Sequence, residues 1–404
     1  MPSYLDNAAT TPMCPEAAAA MLPWLGERFG NPSGSHSVAR AARKAIDDAR
    51  EIAAEALGVD PGGVIFTGGG TEADNLAVLC ATRPPGPRPA AARGTTEPAA
   101  TPPAVVVCSA IEHHAVLHAA QASATPANAR IARIVPVLPD GTVDLDRLVE
   151  ALDPDVRVVS IMLANNEVGT IQPFARIAKL VRRHATNAVL HTDAVQAFPW
   201  LDVATEAAGA DLLSVSAHKF GGPQGVGALA VRNAIAVAPL IHGGGQERDR
   251  RSGTHNVAGI VGMAAAMQAT VDSRAETVAR VSRLRDRLAD GLLAAVPGST
   301  ETGDRARKVA GNCHLCFDGI ESESLLVLLD DAGVCASAGS ACTSGAIEPS
   351  HVLVAMGVER ERALGSLRLS LGTITTDTDI DLALRVVPEA VARLRATSRV
   401  TAAR

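Results

Sequence analysis

Ser214-Val215-Ser216-Ala217-His218-Lys219-Phe220-Gly221-Gly222-Pro223 is the stretch on which the reading of this chain turns. An apolar, strand-like run at 211–215 leads into a lysine, with a histidine just before it and glycines just after. A lysine so placed stands on a rigid strand end, beside a turn whose backbone a ligand can approach closely. Such a position suits an amine that must shed its proton and bond to an aldehyde. By itself the stretch is weak, since most lysines near turns are simply solvated.

Upstream, Val189-Leu190-His191-Thr192-Asp193-Ala194-Val195-Gln196 carries an aspartate at the end of another apolar run. A carboxylate that pairs with a pyridinium nitrogen, together with a Schiff-base lysine, is the residue pair that pyridoxal 5'-phosphate (PLP) needs from a protein. Further apolar runs lie at 64–66, 105–107, 156–163 and 188–191, separated by helical patterns such as 40–57 and 174–184. Continuous apolar strands alternating with helices predict an α/β fold, a mostly parallel sheet covered on both faces. Ligands of such sheets bind beyond the carboxyl ends of the strands. Residues 68–71, His113, Asn165-Asn166, Asp193 and Lys219 each follow one of these runs, so five strand ends converge on one edge.

Composition removes other classes. A chain of 404 residues exceeds one small core, which predicts a large and a smaller domain. Aromatics at 2% leave few stacking platforms for single-stranded nucleic acid, and a net charge of −6 disfavours nucleic acid or an anionic membrane as partner. No apolar run reaches bilayer length, and the N-terminus lacks the basic-then-apolar pattern of a secretory signal. The 7 cysteines are odd in number and scattered, as expected of reduced thiols in the cytoplasm rather than a disulfide framework. The segment 83–103, rich in Pro, Ala, Gly and Thr, is expected to form a mobile surface insertion. Residues 15–261 are expected to form the large domain. Residues 1–14 with 262–404, where long helical patterns at 278–296 and 322–332 take over, are expected to form the small one.

Thr67-Gly68-Gly69-Gly70-Thr71-Glu72-Ala73-Asp74-Asn75 follows a strand and opens a helix, so its amides and the Thr71 hydroxyl could cradle a phosphate. It has neither the ending of a nucleotide P-loop nor dinucleotide spacing, and alone it reads equally as a helix-capping turn. With Lys219 and Asp193 the phosphate cup is the better reading. His113, in Glu112-His113-His114-Ala115, could lie over a cofactor ring and act as acid or base; alone it reads as a solvent-facing histidine. A metal there is disfavoured, since His113, His114 and His118 have no carboxylate or cysteine at ligand spacing. Cys313 and Cys316 lie in an alternating, strand-like segment and read as structural. Cys342 instead sits mid-way in a small-residue loop, Ala338-Gly339-Ser340-Ala341-Cys342-Thr343-Ser344-Gly345. It reads as a mobile nucleophile or as an incidental exposed thiol.

Taken together these motifs resemble the cysteine desulfurases of the class V aminotransferase group. The resemblance runs from Tyr4-Leu5-Asp6-Asn7-Ala8-Ala9-Thr10-Thr11-Pro12 to about Leu371. It is carried by Gly30-Asn31-Pro32-Ser33, Gly70-Thr71-Glu72, Glu112-His113-His114, Asn165-Asn166-Glu167-Val168-Gly169, Ser216-Ala217-His218-Lys219, His242-Gly243-Gly244-Gly245-Gln246-Glu247, Arg251-Ser252-Gly253-Thr254 and the Cys342 loop. That loop resembles the housekeeping and nitrogen-fixation type, which supplies iron–sulfur assembly. The resemblance implies PLP fold type I: a large domain with a mostly parallel seven-stranded sheet and a smaller α+β domain.

It also implies roles. Lys219 would be the Schiff-base lysine, Asp193 the partner of the pyridine nitrogen, Gln196 a contact to the ring hydroxyl, and His113 the ring-stacking residue. Gly70, Thr71, Ser216 and His218 would hold the phosphate from one subunit and Thr254 from the opposite one, implying a homodimer. Asn166 and Arg368 would orient L-cysteine, Arg368 by a bidentate grip on its carboxylate, with Asn31 a lesser candidate. Cys342 would take the sulfur as a persulfide and release L-alanine. It would pass sulfur to an iron–sulfur scaffold or a tRNA-thiolating enzyme, and could transiently ligate a nascent cluster; no intrinsic metal is implied. His255 departs from the common family pattern beside the expected dimer-side pocket. A selenocysteine lyase and an aminotransferase of the same class are the alternatives.

Overall fold

The computed structural model describes residues 2–82, 105–123, 131–232, 235–339 and 348–402. The insertion at 83–103 and the Cys342 loop therefore lie outside the described residues.

In chain order the strands of the main sheet are β2 (Val64–Thr67), β4 (Val105–Ser109), β5 (Ile131–Val135), β6 (Val156–Ser160), β7 (Val189–Asp193), β8 (Leu212–Ser216) and β9 (Gly227–Val231). β1 (Ser3–Tyr4) precedes them, and the two-residue β3 (Ala81–Thr82) lies between β2 and β4. The sheet order is β2-β9-β8-β7-β6-β4-β5. β9 runs antiparallel to both of its neighbours, so the other six strands point the same way. All five sequence-predicted strand ends therefore open on one edge. β7 and β8 are buried along their whole length, as expected of parallel strands covered on both faces.

The apolar periodicity at 40–57 belongs to a helix spanning Ser37–Leu57, three residues longer than the pattern suggests. It closes on Gly58 at φ 64, a left-handed C-cap that glycine adopts without strain. The run at 156–163 ends as a strand at Ser160; beyond it Ile161, Met162 and Leu163 stay buried but turn towards the site.

A second core gathers Leu5 with residues from Val281 to Val391. It surrounds the antiparallel sheet of β11 (Ser299–Glu301), β12 (Asn312–Phe317) and β14 (Ser366–Ser370). The helical pattern at 278–296 proves to be the second half of one 39-residue helix, Val257–Ala295. Its first half packs into the main core through Ile260, Met263 and Met267, its second into the smaller core through Val281, Leu288 and Leu292. One rigid rod thus crosses the position 261/262 where the sequence places a boundary. The N-terminus joins the smaller core: β1 pairs in parallel with β13 (Val334–Cys335), and Asp6 bridges to Ser370.

Candidate active site

A cavity of about 290 Å³ at the strand-end edge is lined by Gly70, Thr71, His113, Asn166, Asp193, Gln196, Ser216, His218, Lys219 and Arg368. These are ten of the residues singled out from sequence, gathered from both halves of the chain. Asn31 and Thr254 are not among the lining residues. Asn31 is exposed and accepts the Ser33 amide at 3.0 Å, and Thr254 is exposed after Gly253. Cys342 lies outside the described residues.

Lys219 leaves β8 on a single tight turn, Ala217–Lys219. Its Nζ donates to the carbonyls of Ala8 and Ala9 at 2.6 and 2.8 Å. Burial and then the Arg368 charge pull its pKa down to about 8, so a sizeable neutral-amine fraction exists near neutrality. Asp193 caps β7 and is 5% exposed; its Oδ1 accepts the Val195 amide at 2.8 Å. Burial lifts its pKa to about 6, against that bond and Lys219. Gln196 donates to the Ala8 carbonyl at 2.8 Å.

His113 lines the cavity and is exposed, and its Nδ1 accepts the Ala115 amide at 3.1 Å. The surrounding walls, then Lys219, depress its pKa to about 4, so the ring is neutral and free to accept a proton. His218 Nδ1 meets Thr10 Oγ1 at 3.1 Å. Arg368, on β14, reaches in from the smaller core. Its Nη1 donates to the Asn166 carbonyl and its Nη2 pairs with Asp6, both at 3.0 Å, while Nε has no partner among the described residues.

The residues fit PLP. The helix Gly70–Cys80 starts at the cavity with Gly69 as an N-cap that supplies no side chain, so its first-turn amides are left for an anion. A Cβ on Gly70 would come within 2.9 Å of Val195 Cγ2, so the backbone approach here requires glycine. An adjoining hollow of about 700 Å³ shares Gly70, Thr71, Ser216 and His218. A cationic amine, an anion cup and a buried carboxylate thus share one site, the donor set of a phosphorylated pyridine aldehyde. Among the described residues no group of three or more His, Cys, Asp or Glu is placed to hold a metal ion.

The segment bearing Thr254 is fastened from two sides. Arg251 pairs with Glu72 at 2.8 Å, and Glu72 also takes the Gly68 amide at 2.7 Å. Glu247 accepts from Arg50 at 2.6 and 2.9 Å, from the Phe66 amide at 3.0 Å, and meets His255 Nε2 at 2.8 Å. Glu247, Arg248 and Asp249 all have left-handed backbones, φ 50, 58 and 63, at a cost of about 1–3 kcal/mol each.

The aminotransferase class-V model matches residues 3–383. The chain belongs to the aminotransferase class-V family. This class-V chain is 46% identical over 396 residues to an IscS-like cysteine desulfurase of Mycobacterium tuberculosis, covering 97% of each. It is 42% identical to a cysteine desulfurase IscS of Methanosarcina thermophila, over 98% of this chain and 94% of that one. Among solved structures it is similar to a NifS-like protein at TM-score 0.85 and 33% identity, covering 97% of this chain and 100% of that one. It is also similar to SspA in complex with cysteine, at TM-score 0.75 and 29% identity, covering 91% and 98%. The fold is thus the PLP fold type I expected from sequence, and the family's cofactor is PLP.

Sequence reasoning assigned no role to Asp6, Ala8 and Ala9, or to Asp74, which also lines the cavity. The N-terminal residues lie some 210 positions from Lys219, as the separation of the Lys219–Ala9 bond records. Only the Tyr4-to-Pro12 motif signalled them.

Proposed function

We propose that the chain is a cysteine desulfurase, converting L-cysteine to L-alanine and leaving the sulfur as a persulfide on Cys342. The observation that carries this is the meeting of Lys219 and Arg368 in one cavity, in a chain closely similar to named cysteine desulfurases. When bound, PLP supplies an electron sink for the α-carbon of the substrate.

The protein's own groups do the rest. Arg368, steadied by Asp6 and the Asn166 carbonyl, offers its remaining N–H groups to the substrate carboxylate, with Asn166 alongside. Lys219 holds the cofactor through its amine and, once released, moves the α-proton. Neutral His113, lining the same cavity, would accept and return protons there. The Cys342 thiolate attacks the substrate sulfur: an S–S bond forms, the C–S bond breaks, and the carbon takes a proton to give alanine. Cys313 and Cys316 are buried, and burial pushes both thiols up to about 12, which suits structural thiols.

Thr254 completes a phosphate site across a homodimer in this reading, which accords with its exposure outside its own cavity. The enzyme works in the cytoplasm and hands sulfur to an iron–sulfur scaffold or a tRNA-thiolating enzyme; among the described residues no helix is long and apolar enough to cross a membrane. Measuring alanine release from L-cysteine, with mass spectrometry of the Cys342 peptide for one added sulfur, tests the proposal. Equal turnover without sulfur on Cys342 would instead favour a direct lyase.

A further inference from the structure

Asp74 lies in the helix Gly70–Cys80, is 2% exposed, and lines the same cavity as Asp193 and Lys219. Its Oδ1 has no hydrogen-bond partner among the described residues. His191 Nε2 stands 3.6 Å from that oxygen. His191 is already engaged: Nδ1 meets Ser160 Oγ at 2.8 Å and Nε2 meets Ser214 Oγ at 2.9 Å. A buried chain, Ser160–His191–Ser214, therefore runs from β6 through β7 to β8, and Asp74, on the helix that opens the anion cup, stands beside its imidazole. The ionisable groups closest to Asp74 are Asp193 and His191 from β7 and Glu112 beyond β4, and Lys219, His113, His218 and Arg368 line the same cavity.

We propose that Asp74 is a positioning residue for Asp193: buried beside His191, with no hydrogen-bond partner for Oδ1 among the described residues, it remains an uncharged acid and leaves Asp193 as the single carboxylate that faces the cofactor ring. Two carboxylates in one buried cavity do not both ionise when their environments differ. Burial first, then the Asp193 charge, pushes Asp74 well above the ordinary carboxylate range, and His191 is too deeply buried to supply a compensating cation. Asp193 keeps its charge more readily, because the Val195 amide and Lys219 both favour it. The inference rests on Asp193 as the partner of the ring nitrogen.

The test uses PLP-loaded protein. Carbon-13 NMR of carboxyl-labelled aspartate should show one buried resonance that stays protonated at neutral pH; finding none would overturn the proposal. Asp74→Asn, an uncharged isostere, should hold PLP within about twofold of wild type and move the pH midpoint of the cofactor's visible band by no more than about half a unit. A shift of about one unit or more would mean that a charge had been removed, and would also overturn it. Asp74→Leu, which sets an apolar group against His191 and the cavity, should weaken PLP affinity by about tenfold; unchanged affinity would remove the positioning role. Asp193→Ala is the separate control. If its PLP affinity and visible band match wild type, Asp193 is not the ring partner, whatever Asp74 does.

Discussion

Arg368 Nη2 lies 3.0 Å from Asp6 Oδ1, so the guanidinium that faces the cavity from β14 is aimed by a carboxylate near the start of the chain. With Nη1 on the Asn166 carbonyl, the planar group is fixed from two sides before any substrate arrives. Arg368→Lys keeps the charge but loses the fork. Its KM for L-cysteine should rise about ten- to a hundredfold, with a smaller change in kcat, since hydrogen bonds to charged groups are worth about 1.5–3 kcal/mol. Steady-state alanine formation measures this, and an unchanged KM would remove Arg368 from the substrate site.

Lys219→Ala should abolish covalent attachment of PLP, and reduction followed by peptide mass spectrometry should place the wild-type adduct on Lys219 alone. Capture of PLP by wild-type protein should quicken as pH rises and level off above about 8, where burial leaves the amine unprotonated. An adduct on another lysine would sink the assignment.

Cys342→Ser should keep PLP yet release almost no alanine, because a serine hydroxyl is a poor nucleophile towards sulfur. Replacing Cys313 or Cys316 should lower thermal stability more than turnover, as both are buried. Wild-type turnover by Cys342→Ser would disprove the persulfide route.

Glu247→Ala should destabilise the fold by about 3–5 kcal/mol, since it leaves Arg50 buried without its partner. Burial raises the Glu247 pKa, but His255 and Arg50 outweigh it and hold the group at about 2. Its stabilising charge is therefore lost as pH falls from the usual carboxylate range towards about 2. Glu247→Gln should show a flatter acid-unfolding profile by circular dichroism; an unaltered profile would contradict the ion-pair account.

Glu112 gives the opposite slope. It is fully buried, and burial lifts its pKa to about 8 against hydrogen bonds from Ser109 and the Met162 amide. Between the unfolded value of 4.5 and about 8 the folded chain holds a proton that the unfolded chain has released, so stability falls as pH rises. Glu112→Gln lacks that dependence. Its melting temperature relative to wild type should improve from about pH 5 to about pH 8 and level off above that; a difference that does not change with pH would refute this.

The strand ends were legible because β6, β7 and β8 are short, apolar and closed by polar residues, a pattern that needs no knowledge of distant partners. Lys219 and Asp193 could be read for the same reason. Asp74 was not, because a buried acid on a helix has the same local spelling as an exposed one; only the packing of Ser214 and His191 distinguishes them. Nor was the single Val257–Ala295 rod, whose apolar stripe changes partners midway and so reads as two patterns. The Ala8 and Ala9 contacts to Lys219 depend on a crossing that no local window contains.

That crossing has a consequence for biosynthesis. Residues 3–6 leave the ribosome more than 300 residues ahead of their partners Val334, Cys335 and Ser370. Closing so long a loop comes late in folding. A nascent chain that has exposed Lys219 still lacks Arg368 and the strand that seats Ala8 and Ala9 beside the amine. Completion of the cofactor pocket therefore awaits the emergence of β14, and a chain truncated before β14 would carry the lysine without the pocket.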